Sequence, residues 1–386
     1  MNKFFKRIVS MVGALALTAG LTASAAACSK GGNSATLIGV GLYEDSGAAV
    51  TAVKTYLGSL EKELNVKFSY TTLSQTDEAT NKTAAQNMIS AGCKGIILTM
   101  DSATSSILDE AKKAGIYVGG YLNDYNTSYD SIKGNPNFVG TVVDGRYEGF
   151  AWGREIAERI INDGHKTIGM VKFPAFAFPH QSEMDQAFRE EIAKYNETAA
   201  ADKKITVKDT VELMFQPLPT TYLDENSDID AIFGMCAGVQ FIYPTLVSAK
   251  KTNIKLYTAG LVCNNDIYDN FGTKGNACIQ EMVFSNAEAI TYPLVMLLNK
   301  IRGNTFSDQP AEAQRVDSSQ MRITSSEELD FCLKHSLQFT GKVSDAFLTP
   351  AEVKAFLAEN GGTHEKLVAA VQSMSVADLK AKVNKG

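Results

Sequence analysis

The stretch AGCKGIILTMDSATSSILDEAKKAGIYVGG, residues 91–120, reads as one complete strand, helix and strand. Residues 95–100 are a continuous apolar run, too short for a helix and of the kind found in a strand buried on both faces. Asp101 or Ser102 is placed to cap a helix whose Ile107, Leu108, Ala111 and Ala114 follow helical spacing, and Gly115 stops it. Residues 116–120 give a second apolar strand. Two strands joined through one helix run parallel, side by side, with a right-handed crossover, so this unit commits the chain to a layered α/β fold. Ligands of such sheets sit beyond the carboxyl ends of the strands. Met100 and Asp101 at one end, and Asn123 and Asp124 at the other, are therefore the first candidate site residues.

The same grammar extends on both sides. Residues 36–42, TLIGVGL, form a buried strand ending in Tyr43, Glu44 and Asp45. A helix over 47–64, a strand over 66–70 and a helix over 77–91 follow, the last with Ala84, Ala85, Met88 and Ile89 on one face. A fifth strand, FVGTVV at 138–143, turns at Asp144 into a long helix over 147–161 that holds the only tryptophan, Trp152. The pattern then restarts, with strands expected over 167–173, 205–215, 231–235, 254–260 and 277–283, and helices over 183–195, 240–250 and 287–302. Residues 94–120 and 230–260 both run strand, short loop, helix, strand. One sheet topology built twice gives two lobes, whose carboxyl edges would face one cleft closed by a hinge.

A chain of 386 residues, 45% hydrophobic and 21% charged, can bury a large core and by length divides into two domains. A formal charge of −6 without a basic stripe argues against a nucleic-acid surface. His165, His180, His335 and His364 are scattered, no zinc-type spacing occurs, and no GxSxG, HExxH or P-loop pattern is present. Neither catalysis nor a cofactor is indicated. Lys3, Lys6 and Arg7 precede an apolar stretch over 8–21 and small residues before Cys28, the pattern of a secretory signal over 1–27. Residues 25–28, AAAC, resemble a bacterial lipobox, and the polar residues that follow to position 35 make a tether for a chain lipidated on Cys28. Loss of the leader takes the charge from −6 to −9. The five remaining cysteines lie in or beside apolar runs and are odd in number, so they read as core residues more than as a disulfide framework.

GIILTMDSATSSILDEAKKAGIYV, with its apolar strand, polar turn and helix exit, and FVGTVVDGRYEGFAWGREIA, with a strand ending in Asp before a glycine-containing helix, together resemble the type I solute-binding proteins of ABC importers. The likeness is to the periplasmic sugar binders related to ribose-binding protein and spans residues 36–323. It implies two Rossmann-like lobes joined by a three-segment hinge, a small ligand held between aromatic rings and polar side chains, and a permease partner. Such a protein is expected to act as a monomer. Carried over by position, the ligand contacts fall near Tyr43, Met100, residues 122–124, Asp144, Met184, Cys236, Leu261 and Phe284. Sugar binders usually carry charged or amide side chains at several of these positions. A sugar needs its hydroxyls re-satisfied at roughly 1 kcal/mol apiece, and Met100, Met184, Cys236 and Leu261 supply few partners. A partly apolar ligand is therefore expected, with Phe173, Phe176 and Phe178 offering ring faces and His180 and Gln181 beside them.

The resemblance divides the chain into an N-terminal lobe of 36–142 with 285–308, a C-terminal lobe of 143–284 with 309–340, and a helical extension over 341–386. Residues 316–323 are expected as one crossing strand and 326–337 as a helix. In the extension Thr349, Pro350 and Glu352 form a capping box with proline at the first helical position, helices are expected over 350–359 and 364–374, and Ser375 caps another. Their mixed charges suit packing on a lobe better than membrane binding. A sensory binding module that presents its closed form to a membrane receptor fits the same pattern. An enzyme built on Glu44, Asp45 and His180 lacks a nucleophile with an orienting partner. A cytoplasmic repressor of this fold is excluded by the leader and by the missing helix-turn-helix.

Overall fold

The computed structural model describes residues 34–74, 77–125, 128–144, 149–175, 178–260, 265–272 and 277–384; the leader and Cys28 lie outside them. The first sheet contains β1 (Thr36–Leu42), β2 (Val66–Thr72), β3 (Gly95–Leu98), β4 (Tyr117–Tyr121), β5 (Phe138–Asp144) and β11 (Arg315–Ser318), in the order β11-β5-β4-β3-β1-β2. The second contains β6 (Thr167–Lys172), β7 (Thr206–Glu212), β8 (Ala231–Gly234), β9 (Lys255–Ala259), β10 (Ile279–Ser285) and β12 (Gln320–Ile323), in the order β12-β10-β9-β8-β6-β7. Position by position the two orders are the same. Every pairing is parallel except β10 with β12. The strands of the quoted unit, β3 and β4, are neighbours in register, Gly95 beside Tyr117, as a βαβ unit requires.

Helices α1 (Ala48–Leu64), α2 (Glu78–Ser90), α3 (Thr104–Ala114) and α4 (Tyr129–Ile132) belong to the first lobe. The second lobe holds α5 (Gly149–Asp163), α6 (His180–Thr198), α7 (Thr220–Glu225), α8 (Gly238–Phe241), α9 (Tyr243–Ser248) and α10 (Asn265–Asp269). The chain then returns to the first sheet with α11 (Thr291–Ile301), which packs on β3, β4 and β5. The helix expected over 240–250 is two short ones, because Pro244 lacks an N–H to continue α8 and sits where a new helix starts. α5 and α6 pack in close contact because residue 153 is glycine: a Cβ there would come 2.3 Å from the Met184 carbonyl oxygen. Trp152, Ile156, Ile160, Met184, Phe188 and Phe233 fill the core below them.

Three lobe boundaries differ from the expected ones. Val143 and Asp144 still pair with β11 in the first sheet, Ser285 still pairs with β12 in the second, and the third lies within 316–323. Residues 316–323 are not one strand: β11 joins β5 in the first sheet, β12 joins β10 in the second, and the chain passes between them at Ser319. Residues 315–318 therefore belong to the first lobe, where 309–340 had been expected in the second. The remainder is helical: α12 (Ser326–His335), α13 (Leu337–Thr340), α14 (Pro350–Ala355), α15 (His364–Val371) and α16 (Val376–Val383). The expected capping box is formed at Thr349 and Glu352, and Ser375 with Asp378 forms a second one. These helices bury Val353, Leu357, Leu367, Val371, Met374, Val376 and Leu379 almost completely. No helix among the described residues is long and apolar enough to cross a membrane.

Candidate functional site

The chain leaves β5, β10 and β11 at their carboxyl ends each time it passes between the sheets, through residues 144–149, Asn286 and Ser319. That connectivity sets the carboxyl edges of both sheets at the hinge, and the loops beyond those edges border the cleft.

On the first lobe these loops hold strained backbone. Ala103, Leu122 and Tyr125 have φ of 61°, 54° and 52°. Left-handed conformation costs a side-chain-bearing residue about 1–2 kcal/mol, and it persists only where neighbours dictate it. Here the Thr141 hydroxyl donates to the Asn123 carbonyl at 2.5 Å, Tyr125 N–H donates to Asn123 Oδ1 at 3.2 Å, and Arg315 Nη1 donates to the Asp124 carbonyl at 3.2 Å. The Tyr125 ring stands edge-on to Phe138 at 5.3 Å. The loop thus presents Asn123 and Asp124 in a fixed geometry, each 6% exposed. Asn123 Nδ2 is buried there beside the Tyr125 hydroxyl, a donor kept out of water at a strand end. Asp101 does not cap α3, which starts at Thr104 after the left-handed Ala103; its carboxylate instead accepts from the Thr104 hydroxyl at 2.9 Å and the Ser128 hydroxyl at 3.0 Å, tying the β3 and β4 loops together. Tyr43 and Met100 are half-buried, and Asp45 is exposed. Burial, and then the neighbouring Asp45 charge, raise the half-buried Glu44 carboxyl above its ordinary range.

On the second lobe the edge is aromatic. Phe173, directly after β6, packs its ring 5.4 Å from Phe178, 5.0 Å from Phe215 and 5.2 Å from Phe241. Phe173 is 6% exposed, whereas the other three rings are half-buried around it. Phe215 holds φ of 56°, so a fourth strained residue also lies beyond a strand end. Sequence reasoning missed both Phe215 and Phe241. The first had been read as the end of a strand that stops at Glu212, the second as part of a regular helix.

Several expected site residues are elsewhere. Gln181 is buried and accepts the Phe173 N–H at 2.6 Å, so it fixes the ring loop and does not reach the cleft. His180 is buried against the Phe178 ring at 6.0 Å. Met184 is enclosed between α5 and α6, and Cys236 is 1% exposed, its thiol pushed up to about 12 by burial. Phe284 packs on Phe339 of α13 at 5.6 Å. Asp144 ends β5 opposite Ser318, its side chain outside the described residues, as are Phe176 and Leu261. Of the apolar residues expected at the site, the phenylalanine cluster lies at the carboxyl edge of its sheet, whereas Met184 and Cys236 are buried. Among the described residues no group of three or more His, Cys, Asp or Glu side chains is placed to hold a metal.

Two like-ordered sheets, three crossings at strand ends and a loop-lined cleft define the two-lobed binding proteins of type I. The model of the periplasmic binding protein domain family matches residues 38–305, and the chain belongs to that family. It is thus a type I periplasmic binding protein, and the family is one of solute-binding proteins. No curated protein matches. Among solved structures, a sugar ABC transporter protein from Yersinia enterocolitica is 18% identical, with a TM-score of 0.57 over 76% of this chain and 84% of its own. A solute-binding protein from Agrobacterium vitis bound to α-D-tagatopyranose is 15% identical, with a TM-score of 0.59 over 76% and 96%. The 5-methylthioribose transporter solute-binding protein from Thermotoga lettingae, in complex with 5-methylthioribose, is 14% identical, with a TM-score of 0.57 over 91% and 97%.

Proposed function

We propose that this protein is an extracytoplasmic solute-binding lipoprotein that closes its two lobes on a small, sugar-like but partly apolar ligand and delivers it to an ABC permease. The observation that carries the ligand class is the ring cluster of Phe173, Phe178, Phe215 and Phe241 at the second lobe's carboxyl edge. Ring faces gain from burying apolar surface at about 25 cal/mol per Å², while Asn123 and Asp124 on the first lobe supply polar groups in a fixed loop. A sugar ring bearing an apolar substituent matches both edges. The Thermotoga lettingae structure, whose similarity extends over more of this chain than that of the other two, contains a ligand of that kind.

Calorimetry with 5-methylthioribose, ribose and tagatose tests the ligand class. The thio-sugar is expected to bind at least about tenfold more tightly than either plain sugar, with a negative heat-capacity change from apolar burial. Tighter binding of ribose or tagatose overturns the partly apolar reading and restores an ordinary sugar binder. The lipid anchor is tested separately: the parent should sediment with membranes and the Cys28→Ser variant should not. Equal sedimentation of the two excludes lipid on Cys28.

A further inference from the structure

The residues after β12 do not stay on the second lobe. α12 is held there, its Ser326 hydroxyl donating to the Phe271 carbonyl at 3.0 Å. α13 packs on α1 of the first lobe while its Phe339 stays against Phe284 and Tyr268 of the second, α14 packs on α1, and α15 packs on α11 and β11 of the first lobe. After residues 372–375 the chain returns, and α16 packs on α12 and β12 of the second lobe. The polypeptide thus passes between the lobes through α13 and again at 372–375, besides the three crossings that the doubled sheet requires.

These added passages are fastened to the hinge itself. The Met374 carbonyl accepts Asn286 Nδ2 at 2.7 Å, and the same amide group also donates to the Ser319 carbonyl at 3.3 Å. The Val371 carbonyl accepts the Ser319 N–H at 3.1 Å, and the Gln372 carbonyl accepts the Ser319 hydroxyl. From the other passage Gln338 Nε2 donates to Asn286 Oδ1 at 3.3 Å and to Glu288 Oε2 at 2.8 Å, while Phe347 N–H donates to Glu288 Oε1 at 3.2 Å. Asn286 and Glu288 are fully buried. Burial raises the Glu288 carboxyl above its ordinary range, so these hydrogen bonds lie in a dry site where loss of a partner is costly.

We infer that the C-terminal extension is a clasp across the hinge, which holds the lobe angle shown here and sets how readily the cleft changes shape. A rotation of one lobe on the other changes the backbone torsions of Asn286 and Ser319, the residues at which the chain passes between sheets. Rotation must therefore strain or break the bonds from Val371, Gln372, Met374 and Gln338, and each of these bonds favours one angle over the rest. The inference rests on the closing cleft proposed above, but its test needs no ligand.

Spin labels at Lys113→Cys on α3 and Lys194→Cys on α6, both exposed, report the distance between the lobes in the ligand-free protein. A specific protease site inserted between Gln372 and Ser373, which are also exposed, allows the fifth passage to be cut after folding. Cutting should populate a second interlobe distance, raising the minor population at least about fivefold. Gln338→Leu, which leaves the chain intact, should act in the same direction and decides the matter if the cut protein loses its melting transition. An unchanged distribution in the folded cut form and in Gln338→Leu overturns the clasp. Whether 5-methylthioribose shifts the distance in the uncut protein reports on closure independently of either result.

Discussion

Glu281→Leu should lower the free energy of unfolding by about 3 kcal/mol, read from urea denaturation of parent and variant. Glu281 is 0% exposed on β10. Its Oε1 accepts Trp152 Nε1 at 3.2 Å and Arg322 Nε at 2.8 Å, and its Oε2 accepts Arg159 Nη1 at 2.7 Å. Arg159 continues through Nη2 to the Gln280 and Thr324 carbonyls at 2.9 and 3.0 Å. Arg322 also pairs with Glu155. Removing one partner from a buried ionic cluster leaves the others uncompensated, at about 3–5 kcal/mol. The Arg159 and Arg322 side chains are 23% and 33% exposed, so water reaches part of their charge and the loss falls at the lower end of that span. A loss below about 1 kcal/mol would show that the cluster exchanges with solvent in the folded state.

The placement of that cluster connects stability to function. α5 is the first element after one crossing, β10 the last before the next, and β12 the first after the third. One carboxylate therefore joins the three second-lobe segments that flank the sheet crossings. A lobe stapled in this way turns as a rigid body, and bending is left to residues beyond the staple, Asn286 and Ser319 among them. The clasp acts on these two.

Much of this architecture could be read from residue order. β3, β4 and β8 are short apolar runs between glycines and polar turns, a pattern that helices of ordinary length do not produce. The doubling was visible because residues 94–120 and 230–260 repeat the same order of elements. The break at Ser319 was not visible. Residues 316–323 carry a strand-like pattern throughout, and what divides them is a tertiary choice of partner, β5 before Ser319 and β10 after it, fastened by carbonyls some fifty residues away. Position-by-position transfer of ligand contacts named Met184 and Cys236, which the structure buries for a related reason. Gly153 admits α5 so close to α6 that Met184 is covered, and Cys236 turns inward into the main core cluster. At Phe215 a left-handed residue follows an ordinary strand pattern, and no neighbouring glycine or asparagine signals the turn.

Two rings of the same cluster should respond in opposite ways. Phe173→Ala should cost about 3–5 kcal/mol of folding free energy, because its ring is enclosed by Phe178, Phe215 and Phe241. Phe178 stands half-buried at the margin, against Phe173, Phe215 and His180 but not enclosed by them. Truncating it removes less core and leaves the Phe173 contacts with Phe215 and Phe241 in place, so the melting temperature should fall far less than in Phe173→Ala. Binding should suffer instead. A ring face that covers about 60 Å² of apolar ligand surface contributes about 1.5 kcal/mol, roughly a tenfold change in Kd. Phe178→Leu, which keeps apolar bulk but not flatness, should fall between parent and alanine variant. Calorimetry with the tightest binder among 5-methylthioribose, ribose and tagatose, run beside thermal melts of all three variants, separates the two roles. A Phe178→Ala protein with unchanged Kd would place the ligand away from the rings. Its affinity would then have to come from the polar first-lobe loop of Asn123 and Asp124, and Asn123→Ala, which removes the buried Nδ2 donor, should become the more damaging substitution.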